Sequence, residues 1–123
     1  MANPDDPAHT LILETLDRAH TSLVTTWPVL AEAAWLLRTR PTSIQEMLLG
    51  FVSGIFHLRL LEQESLTWIA NFLQKYQDIR AQLADASLMY VAEHDKIDTI
   101  FTLDRRDFSV YRTSKNRALK IIP

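Results

Sequence analysis

Three carboxylates stand where packing alone would not put them. Glu32 follows Val29 by three residues and precedes Leu36 by four, so on a helix it shares the apolar stripe that faces a core. Asp85 precedes Leu88, Met89 and Ala92 by three, four and seven residues, which sets it on an apolar face near a helix start. Asp104 closes the apolar run Thr99–Leu103, and Asp107 follows three residues later. Each has a structural alternative. Glu32 reaches solvent at the edge of its stripe, Asp85 serves as an N-cap, and Asp104 with Asp107 forms a helix-capping turn.

Gathered at one end of a sheet, such acids have a shared chemistry. Clustered carboxylates repel and raise one another's pKa unless a cation neutralises them, so the set points to a metal centre. Oxygen ligands without His or Cys suit Mg2+ or Mn2+, and a cation so held would polarise a phosphodiester and activate water for in-line attack. From Arg105 to Lys120 six bases stand against the single acid Asp107, and of these Arg105, Arg106, Arg112 and Lys115 are placed to hold a nucleic-acid backbone beside the metal. The structural alternative for that run is a solvated face.

The elements that must position these residues alternate along the chain. Pro7–Ala19 has helical apolar spacing; Ser22–Trp27 reads as a strand stopped by Pro28, and the Ala- and Leu-rich stretch after it as a helix. A helix from Pro41, capped by Thr42 or Ser43, runs towards Gly54. A short strand in Ile55–Leu61 and a helix through Leu66, Ile69 and Leu73 follow. A further helix after Asp78, the strand Thr99–Leu103 and a last strand Ala118–Ile122 complete the series. Strands alternating with helices predict an α/β layer fold with a largely parallel sheet, and no repeat or linker divides residues 1–123, so one domain is expected. In open sheets of this kind ligands bind outside the carboxyl ends of the strands, where Asp104 falls.

Composition narrows the chemistry. The chain is 47% hydrophobic with a net charge of −2, enough for a core and too balanced for bulk attraction to nucleic acid. Absence of cysteine excludes disulfides, thiolate metal sites and thiol catalysis, and Gly50 and Gly54 alone cannot write a glycine-rich phosphate loop. The four histidines show no metal-ligand spacing and read as surface or edge residues. No basic, then apolar, leader opens the sequence and no apolar run approaches a membrane span, so a cytoplasmic protein is expected.

The stretches LVTTWPVLAEAAWLL around Glu32, LADASLMYVAEH around Asp85 and IFTLDRRDFSVYR around Asp104 resemble the PIN domain, and within it the VapC-type toxin ribonucleases of bacterial toxin–antitoxin pairs. The resemblance covers almost the whole chain. It implies a Rossmann-like three-layer α/β/α fold, Mg2+- or Mn2+-dependent cleavage of single-stranded RNA, a cognate antitoxin and often a homodimer. It also implies that Glu32, Asp85 and Asp104 are catalytic metal ligands, that Asp107 joins them, and that the Thr102 hydroxyl supports the site.

Members of that family begin with a hydrophobic strand ending in a metal-binding aspartate, whereas this chain opens at NPDDPAHTLILETL, which resembles the segment after it. The resemblance therefore implies a domain truncated at its N-terminus, with catalysis impaired by the loss of one acidic ligand. Backbone groups left unpaired in a core cost roughly 1–3 kcal/mol each. The gap is thus expected to close by pairing of the flanking strands, by a partner chain, or by exchange between protomers in a strand-exchanged oligomer. The rival expectation is a noncatalytic interaction protein that binds an antitoxin or itself, with Trp27, Trp35 and Trp68 as anchors or, more simply, as core.

Overall fold

The structure, a computed structural model, describes residues 23–102 and 105–122. The helix expected over Pro7–Ala19 and the strand end at Leu103–Asp104 lie outside these residues. The strand β1 (Leu23–Thr25) leads through Thr26 into α1 (Trp27–Leu36). Pro28 sits in the first turn of α1, where its fixed φ and missing N–H cost nothing. Trp27 therefore opens the helix and does not end the strand.

Helix α2 (Pro41–Val52) also begins on a proline, so Arg40 takes the N-cap position and the expected caps Thr42 and Ser43 lie inside the first turn. Both glycines serve the return to β2 (Phe56–Leu58). Gly54 adopts φ +89, a turn conformation that favours glycine. A Cβ on Gly50 would meet the Phe56 ring at 2.7 Å, so only glycine lets that ring lie against α2.

Helix α3 (Ser65–Lys75) carries buried Ile69 and Phe72. The helix expected directly after Asp78 begins later, because a 3-10 turn over Gln77–Ile79 and a left-handed Arg80 at φ 57 interrupt the chain. Helix α4 (Leu83–His94) then buries seven of its residues and forms the centre of the core with α3 packed on it. Strand β3 (Thr99–Phe101), the short α5 (Arg105–Val110) and strand β4 (Lys120–Ile122) follow. The core joins Ile69 and Phe72 with Met89, Tyr90 and Val91 of α4, Ile100, Phe108, Tyr111 and Leu119.

Among the described residues the strands form two parallel pairs, β1 with β2 (Leu23 opposite Phe56) and β3 with β4 (Thr99 opposite Lys120). Direct pairing of β1 with β3, one of the three ways the gap was expected to close, does not occur between them. An apolar cavity lies there instead. Two of the three tryptophans expected chiefly as core, Trp27 and Trp35, are exposed, and Trp68 packs half-buried against the core.

Candidate active site

Asp85 is the best-framed of the proposed ligands. It lies in the first turn of α4, behind an N-cap position taken by Gln82, so it is not the cap itself. A carboxylate here is favoured by the helix dipole. Its side chain is half-buried, and the Tyr111 hydroxyl donates to Oδ2 at 2.9 Å. Tyr111 is fully buried, its ring set against Phe72, Tyr76 and Phe108 at centroid distances of 5.1, 5.1 and 5.2 Å. A rigid aromatic cage thus fixes one oxygen of Asp85 through a neutral donor, which orients the carboxylate without cancelling its charge.

Glu32 projects from α1 and is exposed, while Leu30 is the buried residue of that helix. The expected core-facing position of Glu32 is therefore corrected. Every other residue of α1 is apolar, so apolar neighbours at three and four residues' spacing could not single out the buried face. Helix α1 packs on α4, and a buried hydroxyl pair fastens the two at the start of each. Thr26 Oγ1 and Ser87 Oγ lie 2.7 Å apart with no solvent exposure, and Ser87 donates to the Ala84 carbonyl at 2.7 Å. Because a hydroxyl has one proton, Thr26 is the donor of the pair. Sequence reading passed over Thr26, Ser87 and Tyr111, since serine, threonine and tyrosine carry no spacing signal that distinguishes a buried bond from a wet one.

Asp104 lies outside the described residues. Its neighbours are in place: the Thr102 N–H donates to the Ile122 carbonyl at 2.8 Å, and Asp107 is half-buried in the first turn of α5, its carbonyl accepting the Tyr111 N–H at 3.1 Å. Among the described residues no three acidic or histidine side chains gather closely enough to hold a cation. The donor set that the described residues offer, Glu32, Asp85 and Asp107, is all carboxylate oxygen and fits a hard divalent cation in chemistry.

The basic residues divide. Arg105, Arg106 and Lys115 are exposed, whereas Arg112 folds back on its own segment, its Nη1 donating to the Ser109 and Tyr111 carbonyls at 2.7 and 2.9 Å. The Arg112 N–H further donates to the Tyr76 hydroxyl at 2.9 Å. Arg112 thus closes the end of α5 and holds the residue next to Tyr111.

No family model matches the chain. Over 120 residues, 96% of this chain and 89% of the relative, it is 32% identical to Ribonuclease VapC26 of Mycobacterium tuberculosis. The chain belongs to the PIN-domain VapC-type ribonuclease family. Its parallel strand pairs and interleaved helices are the PIN-like α/β arrangement expected from the sequence.

A second charged cluster in this VapC-type chain lies at the far end of α4, about 15 Å along the helix from Asp85 at 1.5 Å per residue. Arg59 donates to both Asp95 oxygens at 2.9 and 3.1 Å and to Glu62 at 2.8 Å, and the Tyr90 hydroxyl donates to Glu62. The Tyr90 bond first, then Arg59, lowers the Glu62 pKa to about 2. Glu93 accepts from Trp68 Nε1 at 2.8 Å, from the Ser114 hydroxyl at 2.9 Å and from the Ser114 N–H. Burial pushes the Glu93 carboxyl up, but the Ser114 and Trp68 bonds outweigh it and leave the pKa lowered. These groups tie α3, α4 and the loop before β4 together, which assigns them to the fold.

Proposed function

We propose that the chain is a Mg2+- or Mn2+-dependent endoribonuclease of the toxin type, acting on single-stranded RNA in the cytoplasm. Family membership across nearly the whole chain supports this reading, and the setting of Asp85 is the structural observation that carries it. In it Glu32, Asp85 and Asp104 hold the cation, with Asp107 beside them and Thr102 supporting the site. When bound, the cation supplies charge neutralisation at the scissile phosphate and a water acidic enough to attack it. Tyr111 holds Asp85 in one orientation, and the Thr26–Ser87 pair holds α1, and with it Glu32, against α4. Arg105, Arg106 and Lys115 are exposed to bind the backbone phosphates, contacts that fix register without reading sequence.

An antitoxin or a second copy belongs to the same proposal. Trp35 is 64% exposed on α1, and Leu36, Leu49 and Val52 of α1 and α2 are also exposed. The Arg38 guanidinium stacks 3.9 Å over the Trp35 ring, a cation–π contact that holds the indole outward. Among the described residues no helix is long and apolar enough to cross a membrane.

Cleavage of a mixed single-stranded RNA pool with Mg2+ or Mn2+, with and without chelator, tests the reading beside Asp85→Asn. The expected outcome is cation-dependent cleavage that falls at least about a hundredfold in Asp85→Asn, the upper range for disturbing a metal ligand's surroundings. Equal cleavage by both proteins would remove Asp85 from the site. A folded chain without any cleavage would favour the noncatalytic interaction protein.

A further inference from the structure

We propose that Trp27 is a stacking platform for one base of the RNA, holding a nucleotide close to the phosphate that is cut. The inference rests on the ribonuclease reading and adds to it a residue that touches a base, where Arg105, Arg106 and Lys115 touch only phosphate. Trp27 is the first residue of α1 and is 54% exposed. The other two tryptophans have partners. Trp68 stacks on Phe72 at 5.5 Å between centroids and donates to Glu93 at 2.8 Å, and the Trp35 ring is covered on one face by Arg38. Among the described residues the Trp27 ring has no aromatic or cationic partner and its N–H no acceptor. Helix α1 turns Val29, Leu30 and Ala33 to the apolar cavity beside β1, and Trp27 stays outside that lining.

The place of the indole follows from the fastening of α1 to α4. Trp27 is joined directly to Thr26, whose hydroxyl bonds Ser87, and Ser87 stands two residues after Asp85 in α4. The backbones of Trp27 and Asp85 are therefore at most roughly 17 Å apart, a reach of a few nucleotides. Side chains on a helix tilt towards its N-terminus, so an indole at the first position leans past the start of α1, to the carboxyl end of β1. That is the side on which open α/β sheets bind ligands. A second link brings cations. Arg105 and Arg106 are exposed at the start of α5, and that helix, about 9 Å long at 1.5 Å per residue, ends beside Tyr111, which donates to Asp85 at 2.9 Å.

An exposed planar ring within reach of exposed guanidinium groups is what single-stranded nucleic acid requires, because cations take the phosphates and the ring takes the face of a base. A protein partner asks instead for a ring extended by apolar neighbours. Trp35 has such a neighbour in exposed Leu36, and it lies about 12 Å further along α1 at 1.5 Å per residue. The helical neighbours of Trp27 at three and four residues' spacing offer no such extension, since Leu30 is buried and Ala31 is small. The two indoles thus serve different partners. Every base has a π face, so the contact at Trp27 places a nucleotide without selecting its sequence.

The test follows binding of the full chain to a fluorescein-labelled oligoadenylate of about ten nucleotides by fluorescence anisotropy. Ca2+, a hard cation that suits carboxylate sites, replaces Mg2+, and the integrity of the probe is checked on a gel. The same sugar–phosphate chain without its bases is the second probe. Trp27→Leu is expected to weaken oligoadenylate binding roughly tenfold and to leave binding of the baseless chain unchanged, while Trp27→Phe, which keeps a ring, stays within about threefold of the parent. Equal affinity of parent and Trp27→Leu for oligoadenylate would overturn the stack and leave the ribonuclease reading standing. An equal loss for both probes would place the effect in the fold or in the phosphate contacts and would also overturn it. If the parent bound neither probe, the RNA reading and this inference would fall together. A lower particle mass for Trp27→Leu by light scattering would assign the indole to a contact between protein chains and overturn the inference.

Discussion

Removing the hydroxyl of Ser87 should destabilise the protein more than removing that of Thr26, although the two share one bond. Both groups are fully buried and 2.7 Å apart. In Ser87→Ala the Thr26 proton loses its only acceptor among the described residues, and a stranded buried donor costs about 1–3 kcal/mol. Alanine returns up to about 0.5 kcal/mol of helix propensity at a position inside α4. In Thr26→Val, Ser87 keeps its donated bond to the Ala84 carbonyl and loses only an accepted one, at about 0.5–1.5 kcal/mol. Valine also suits the extended backbone of position 26, at φ −127 and ψ 163. The double variant strands no donor, so its loss should fall short of the sum of the single ones by about 1 kcal/mol. Urea unfolding of the four proteins measures this directly. Additive losses, or a larger loss for Thr26→Val than for Ser87→Ala, would refute both the donor assignment and the role of the pair as the α1–α4 fastening.

Tyr111→Phe keeps the ring against Phe72, Tyr76 and Phe108 while deleting the bond to Asp85. Half-maximal cleavage should then need about tenfold more cation with little change in thermal midpoint, and an unchanged cation requirement would separate Tyr111 from the site. Glu62, with a folded pKa of about 2 against an ordinary 4.5, stabilises the fold fully above pH 4.5, and this stabilisation is lost as pH falls towards 2. Thermal midpoints across that window should show Glu62→Gln below the parent at pH 7 and converging with it near pH 2; a constant offset would deny the linkage. Trp35→Ala should leave the thermal midpoint within about 1 °C, since the ring is exposed, while lowering oligomer mass or antitoxin affinity by light scattering and titration. If both stay as in the parent, α1 is not the docking face.

The sequence was legible where one residue's chemistry or a strong local period decided the outcome. Runs with β-branched residues marked β1, β3 and β4, the alternation of Ile55–Leu61 marked β2, and Pro28 marked the passage from strand to helix. It was less legible where a helix is apolar on every side. In α1, spacing placed Glu32 on the buried face, and only the packing of Leu30 against the core shows that the carboxylate faces solvent. The delayed start of α4 likewise depends on Arg80 adopting a left-handed conformation, for which arginine gives no advance signal.

Residue types alone determined that any metal chemistry here is carboxylate chemistry, because there is no cysteine and no ligand-spaced histidine, and apolar spacing put Asp85 forward together with Glu32, Asp104 and Asp107. Tertiary structure alone decided what holds it. Tyr111 reaches Asp85 across 26 residues and Thr26 reaches Ser87 across 61, contacts that no local pattern encodes because the partners meet only after α1, α4 and α5 have packed. The cavity between β1 and β3 belongs to the same class. Each strand's sequence specifies that it pairs, but which edge is left over follows from the register of its neighbour, and that is a property of the fold.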